Sequence, residues 1–286
     1  MSLIYSIRSQ MAAPAPAGSL AFFRIVFGIM MFAGIIRFML NGWVTELYVS
    51  PQYLFPYYGF EWAQVRLPEF GLYAVFTGMV ILSLLIALGL FYRLSIILFF
   101  IAFSYVELLD KATYLNHYYF ISMLSFLMIF LPMNRQYSLD AWRVKNFSRA
   151  FVPQWTVWAL MLQVGLVYFF GGIAKIKPDW LLEAQPLRIW FSNSTEFPVI
   201  GTMMDDAWVA YFISWLAMIF DLTVPFLLLI GRTRIIAFAF IIAFHVLTAH
   251  LFFIGMFPYI MMAAALIFFP ASFHRKYLEL LHSLLF

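Results

Sequence analysis

The run Glu107-Leu108-Leu109-Asp110-Lys111-Ala112-Thr113-Tyr114-Leu115-Asn116-His117 gathers two carboxylates, an amine, an amide and an imidazole in one short stretch. If the preceding helix continues this far, Glu107, Asp110 and Lys111 fall at i, i+3 and i+4, on one face. Two readings stand side by side. In the plain one, Asp110 and Lys111 form a solvated turn and Asn116 caps the next helix. In the chemical one, Lys111 occupies a low-dielectric pocket near the outer end of a membrane, half-buried between two spans. Desolvation penalises the ammonium, so a lysine that titrates near ~10.4 in water is brought toward ~7–8, where it serves as a base. Asn116 or His117 then orients the amine or hydrogen-bonds an oxygen of the substrate.

A second run, from Phe244-His245 through His250 to Gly255-Met256-Phe257-Pro258-Tyr259, holds two histidines. Five positions separate them, about 140° around a helix, which is a poor metal pair. No metal is expected there. The histidines either bond to neighbouring helices, or one of them faces an internal cavity near Lys111. Arg37 is placed to snorkel to an interface, and Arg24 to do the same or to pair with Asp221 or another acid. Lys175 and Lys177, with Asp179 and Trp180, read as an interfacial anchor.

These groups have to be positioned by elements that the composition restricts severely. Of 286 residues, 65% are hydrophobic and only 10% charged, against about 25% charged in soluble domains. An ordinary soluble enzyme, a disordered chain and a nucleic-acid binder are excluded, and the excess apolar surface has to face lipid. The absence of cysteine removes disulfides, thiolate catalysis and cysteine-ligated metal centres. The expected fold is all-α, a polytopic transmembrane helical bundle. With about 20 apolar residues needed per crossing, about eight spans are read: Leu20–Leu40, Pro68–Phe91, Leu94–Leu109, His117–Leu131, Val152–Ile173, Trp208–Ile230, Ile235–Ile254 and Phe257–Phe269.

Lys and Arg are concentrated on one side of these spans (Arg8, Arg93, Arg135, Arg143, Lys145, Arg149, Arg232, Arg234, Arg275, Lys276). The other side carries Arg66, Lys111, Lys175, Lys177 and Arg188 with most of the acids, Glu196 and Asp205 among them. The positive-inside rule then puts both termini in the cytoplasm. Residues 1–19 read as a cytoplasmic arm, 20–270 as the membrane domain and 271–286 as a cytoplasmic tail. No cleavable leader is expected, because Ala12–Ala17 precedes the first apolar stretch instead of following it. Two aromatic, proline-containing connections, about 41–67 and 174–207, should lie folded on the outer membrane face. No internal repeat or second domain is visible.

Four segments together resemble the membrane domain of the vitamin K-dependent γ-glutamyl carboxylase family, within the wider group of HTTM proteins. They are Phe22-Phe23-Arg24-Ile25-Val26-Phe27-Gly28, then Leu109-Asp110-Lys111 with Asn116-His117-Tyr118-Tyr119, then Val152-Pro153-Gln154-Trp155 with Val167–Ile176 and Asp179-Trp180, and last Phe244-His245 with Leu251–Tyr259. They occur in family order. The resemblance implies that a lysine deprotonates reduced vitamin K, that oxygen then adds, and that the strong base so formed removes a γ-hydrogen of glutamate, whose carbanion captures carbon dioxide. On this resemblance Lys111, Asn116 and His117 are catalytic residues, while Asp110, Tyr114, His245, Met256 and Tyr259 contact the quinone. The implied cofactors are reduced vitamin K or a menaquinol-type hydroquinone, O2 and CO2.

The implied partners are the lipid bilayer, an isoprenoid quinone and a peptide or protein substrate from another chain, with no nucleic acid. Family enzymes that act on secreted proteins carry a large lumenal domain that recognises a propeptide. The sequence ends soon after the eighth span, so docked-propeptide recognition is expected to be absent or supplied by another chain. The alternative function, from a different class, is a non-catalytic membrane protein that holds a quinone or lipid and assists maturation of a partner peptide.

Overall fold

The computed structural model describes residues 2–192, 201–204, 206–252 and 255–285. Glu196 and Asp205 of the charge pattern, and Phe253 and Ile254 of the fourth matching segment, lie outside the described residues. Along the chain run α1 (Ser2–Ala12), β1 (Pro14–Pro16), α2 (Gly18–Leu40), α3 (Glu69–Leu88), α4 (Tyr92–Leu109), α5 (Asn116–Phe130), α6 (Leu139–Arg143) and β2 (Phe151–Pro153). Then follow α7 (Gln154–Ala174), α8 (Pro178–Leu181), α9 (Leu187–Ser192), α10 (Gly201–Met204), α11 (Ala207–Leu229), α12 (Arg234–Phe252), α13 (Phe257–Ala265) and α14 (Ala271–Leu285).

The fold is an all-α polytopic bundle. Among the described residues six helices, α2, α3, α4, α7, α11 and α12, are long and apolar enough to cross a membrane. The count rises to seven if Phe257–Phe268 and Ala271–Leu280, which meet at 116°, form one broken span. Two of the eight expected spans therefore fall short. At 15 residues, α5 is about 22 Å long against a hydrocarbon core of about 30 Å. The last apolar stretch is broken at Pro270 before α14 begins.

The chain divides into two compact units, Met1–Leu160 with Phe269–Phe286, and Met161–Phe268. In the first, α2 and α3 approach closely because Gly28 has no side chain, and a Cβ there would lie 2.6 Å from the Ala87 nitrogen. The strand β1 pairs antiparallel with β2, Ala15 opposite Val152. From the far end of the chain α14 returns to α2, where His274 Nδ1 lies 3.0 Å from Ser19 Oγ. Arg24, expected to snorkel or to pair with Asp221 or another acid, is fully buried in this unit and donates to the Tyr137 carbonyl. In the second unit α7 packs on α11, α11 on α12 and α12 on α13, while α8 and α9 cover α11. The Trp180 Nε1–H donates to the Ser214 carbonyl at 2.8 Å and pins that cover.

Candidate functional site

In the first unit α4 stops at Leu109 because Asp110 leaves the helical conformation, at φ −148° and ψ 115°. Its Oδ1 accepts the N–H of Ala112 at 2.9 Å and that of Phe55 at 3.0 Å. The Phe55 carbonyl in turn accepts the Lys111 N–H at 2.7 Å. A single 3-10 turn, Lys111–Thr113, is clamped in this way to the loop that follows α2. Gln64 Nε2 adds a bond to the Leu109 carbonyl at 3.1 Å, and the buried Tyr48 hydroxyl lies 3.4 Å from Thr113 Oγ1.

The turn alters several expectations. Glu107, Asp110 and Lys111 share no helical face, since the helix has already ended. The buried group is Asp110, and Lys111 is exposed, its amine without a hydrogen bond or ion pair among the described residues. Asn116 is the first residue of α5 and exposed; Leu115 holds the cap position and no side chain caps the helix. His117 is buried, its ring 4.5 Å from that of Tyr118. Tyr114 is exposed and meets Tyr57 edge-on at 6.5 Å. Partial burial, and next the Glu107 carboxylate, raise both phenols above the ordinary tyrosine value.

In the second unit, Tyr168, Gly171, Gly172 and Lys175 fall at i, i+3, i+4 and i+7 on α7 and the residue just beyond it, which is one face. That face lies against α11: a Cβ at Gly172 would meet Leu222 Cγ at 2.7 Å, and one at Gly171 would stand 3.4 Å from Asp221 Oδ2. Lys175 Nζ donates to Asp221 Oδ2 at 2.5 Å and to the Gly171 carbonyl at 3.2 Å. It also lies 5.3 Å from the centre of the Trp180 ring. The Lys175 and Asp221 side chains are 20% and 8% exposed. Asp221 is near enough to Tyr168 to act on it electrostatically. The Tyr168 hydroxyl lies 3.0 Å from His245 Nε2, and both residues are buried. The other ring nitrogen, Nδ1, is buried with no partner among the described residues. Around this imidazole stand Phe257 at 5.8 Å and Phe244 at 5.3 Å, and Phe244 stacks on Phe220 at 4.7 Å.

The family model for the HTTM domain matches residues 12–273. The chain belongs to the HTTM domain family. HTTM domains are found in the vitamin K-dependent carboxylase family, and no solved structure matches the chain. The match spans both polar groupings of this HTTM protein: the Lys111 turn, and the cluster of Tyr168, Lys175, Asp221 and His245.

Ionisable groups inside membrane spans are costly and mark functional sites. By that measure the second unit holds the stronger candidate, and sequence reasoning found only His245 of it. Lys175, read from the sequence as an interfacial anchor, closes an ion pair with Asp221, the acid also weighed as a partner for Arg24. Three signals were present: an acid inside a span in need of a cation, the pair Gly171-Gly172 one turn before a lysine, and Pro225. Proline has no N–H to give the carbonyl four residues earlier, and that carbonyl belongs to Asp221. Of the remaining expected quinone contacts, Met256 is half-buried just before α13 and Tyr259 is exposed. Neither makes a hydrogen bond or ring contact with His245 among the described residues. No three of His, Asp or Glu among them converge as a metal site would.

Proposed function

We propose that this HTTM protein is a quinol-dependent carboxylase of the membrane, in which Lys175 rather than Lys111 is the base that starts the reaction. The observation that carries this reading is an amine held by a carboxylate at 2.5 Å, on the helix face that also carries Tyr168, whose hydroxyl meets an imidazole with its other nitrogen buried and unpartnered among the described residues. Lys111, exposed on its turn, has no such surroundings. Reduced vitamin K or a menaquinol-type hydroquinone, O2 and CO2 are the proposed co-reactants, and a glutamate-type carbon acid on a peptide from another chain is the proposed acceptor. The proposed location is a multi-pass membrane position with the site toward the extracytoplasmic face.

The residues present fit a hydroquinone. Phe220, Phe244 and Phe257 offer ring faces and edges for an aromatic headgroup, and the orphan His245 Nδ1 offers one polar contact. When bound, a hydroquinone supplies a phenolic hydroxyl and the two electrons with which oxygen is reduced. Lys175 Nζ, in its neutral form, receives the phenolic proton. The bond from Gly171 and the ring of Trp180 fix where that nitrogen stands. Tyr168 fixes the His245 ring through Nε2, so Nδ1 is left to donate or accept according to the tautomer. Burial of Asp221, Tyr168 and His245 strengthens the charge interactions at the site.

The test uses the purified protein in detergent with hydroquinone, oxygen and labelled CO2. Lys175→Arg retains a cation for Asp221 yet stays protonated, and it is expected to abolish quinol epoxidation while the protein remains folded. Wild-type turnover by Lys175→Arg overturns the assignment. Loss of activity confined to Lys111→Ala returns the role to Lys111, and binding of hydroquinone with no turnover in the wild type selects the non-catalytic holder.

A further inference from the structure

We propose that Asp221 is the resting place of the proton that Lys175 has to give up, so that the pair, and not the amine alone, is the working base. The inference rests on the reading of Lys175 as base and adds to it a positioning residue that does not touch the substrate.

A paired ammonium cannot accept a proton. It has first to lose one, and the nearest acceptor among the described residues is Oδ2 of Asp221, 2.5 Å away. Moving one proton along that contact breaks an N–H bond and forms an O–H bond, converting ammonium and carboxylate into amine and carboxylic acid. No charge enters or leaves the site. The exchange is favoured by the surroundings, since two buried charges carry a desolvation cost that two neutral groups do not. The phenolic proton then passes to the amine. Lys175 is an ammonium again, now facing the oxygen that lost its proton, and Asp221 keeps the proton it took. The net movement is from phenol to Asp221, with no oxidant or further co-reactant required.

The local architecture suits a carboxyl group that has to hold a proton in either form. Gly171 leaves space at the carboxylate, where a Cβ would stand 3.4 Å from Oδ2. Its carbonyl holds Lys175 Nζ from a second direction at 3.2 Å, so the nitrogen stays in place whichever partner has the proton. Four residues on, Pro225 interrupts the hydrogen bonding of α11 just at Asp221, and Gly165 of α7 accommodates the proline ring, a Cβ there lying 3.5 Å from the proline Cβ.

Infrared difference spectroscopy on the full chain in lipid nanodiscs tests this, with menadiol added under anaerobic conditions so that no turnover occurs. A protonated-carboxyl band is expected to appear, to shift when aspartate is carbon-13 labelled, and to vanish in Asp221→Asn. In turnover assays Asp221→Asn is expected to lose about 100-fold in kcat, of the size usual for a proton-transfer group, with little change in the KM for hydroquinone. Asp221→Glu is expected to restore much of that loss. An absent band in the wild type, or near-normal kcat in Asp221→Asn, overturns the proposal. An active Asp221→Asn beside an inactive Lys175→Arg removes this inference alone, whereas an active Lys175→Arg removes the reading beneath it. If Asp221→Asn does not fold, the wild-type spectrum still decides.

Discussion

Gly171 stands where the Asp221 carboxylate passes, and a single methyl group there would lie 3.4 Å from Oδ2. Small residues of this kind let membrane helices approach, because lipid gives apolar side chains little reason to prefer each other. The same device recurs at Gly172 against Leu222 and, in the first unit, at Gly28 against Ser83 and Ala87.

Close approach can be measured as stability. Gly28→Ala and Gly172→Ala are expected to destabilise by about 1–3 kcal/mol each, the usual cost of overpacking. A Cβ at Gly28 would meet backbone atoms of α3 at 2.6–2.8 Å. Gly78→Ala, in α3 with nothing within 4 Å of its Cβ, is the control and should be neutral or slightly stabilising. Unfolding in mixed detergent micelles ranks the three; equal effects would refute the packing account.

Asp110 holds two backbone amides on one oxygen, Oδ1. Asp110→Ala leaves both without that partner, at about 2–3 kcal/mol for bonds to a charged acceptor. Asp110→Asn keeps an oxygen in the same place and should lose much less. Hydrogen exchange at Phe55 and Ala112 reads the difference directly, with protection lost in the alanine variant and largely retained in the asparagine one.

The two lysines differ in what a reagent can reach. At neutral pH, acetylation of the protein in detergent followed by peptide mass spectrometry should modify Lys111 well before Lys175. The first is exposed, and the second is one-fifth exposed and bonded to a carboxylate. Faster modification of Lys175 would contradict the pairing.

Asp140, in α6 and outside the spans, accepts bonds from the Phe91 and Tyr92 amides, Asn134 Nδ2 and Arg143 Nε at 2.8–3.0 Å. Burial pushes its pKa up, but these four bonds outweigh it and hold the carboxyl below the ordinary 3.8. A depressed folded value means that its stabilisation is complete above 3.8 and drains away as pH falls through the folded value. Asp140→Asn should therefore flatten the acid limb of stability against pH, and an unchanged limb would count against the bonds.

Hydropathy made α2, α3, α4, α7, α11 and α12 readable to within a few residues, because lipid tolerates no other pattern. The end of α4 at Leu109 was readable as well; the turn that follows it was not. Asp110 turns away from the helix to satisfy an amide 55 positions earlier in the chain, and no local propensity reports so distant a partner. Only a helix continued past Leu109 would have put Lys111 on a face shared with Glu107. Lys175 was missed for the converse reason. It lies one residue beyond its helix, where lysines commonly anchor, and its partner is 46 positions away. For His245 the sequence left two readings, a bond to a neighbouring helix or a face toward a cavity near Lys111, and its contact with Tyr168 of α7 answers to the first.

The return of α14 to α2 has a consequence for biogenesis. Residues 161–268 are, in topological terms, an insertion within the first unit, whose Ser19 and Gly18 await His274 and Leu278. Helix α2 thus cannot complete its contacts until His274, 255 positions further along the chain, has been synthesised. During that interval the Ser19 hydroxyl and its apolar neighbours must be sheltered by lipid or by the insertion machinery.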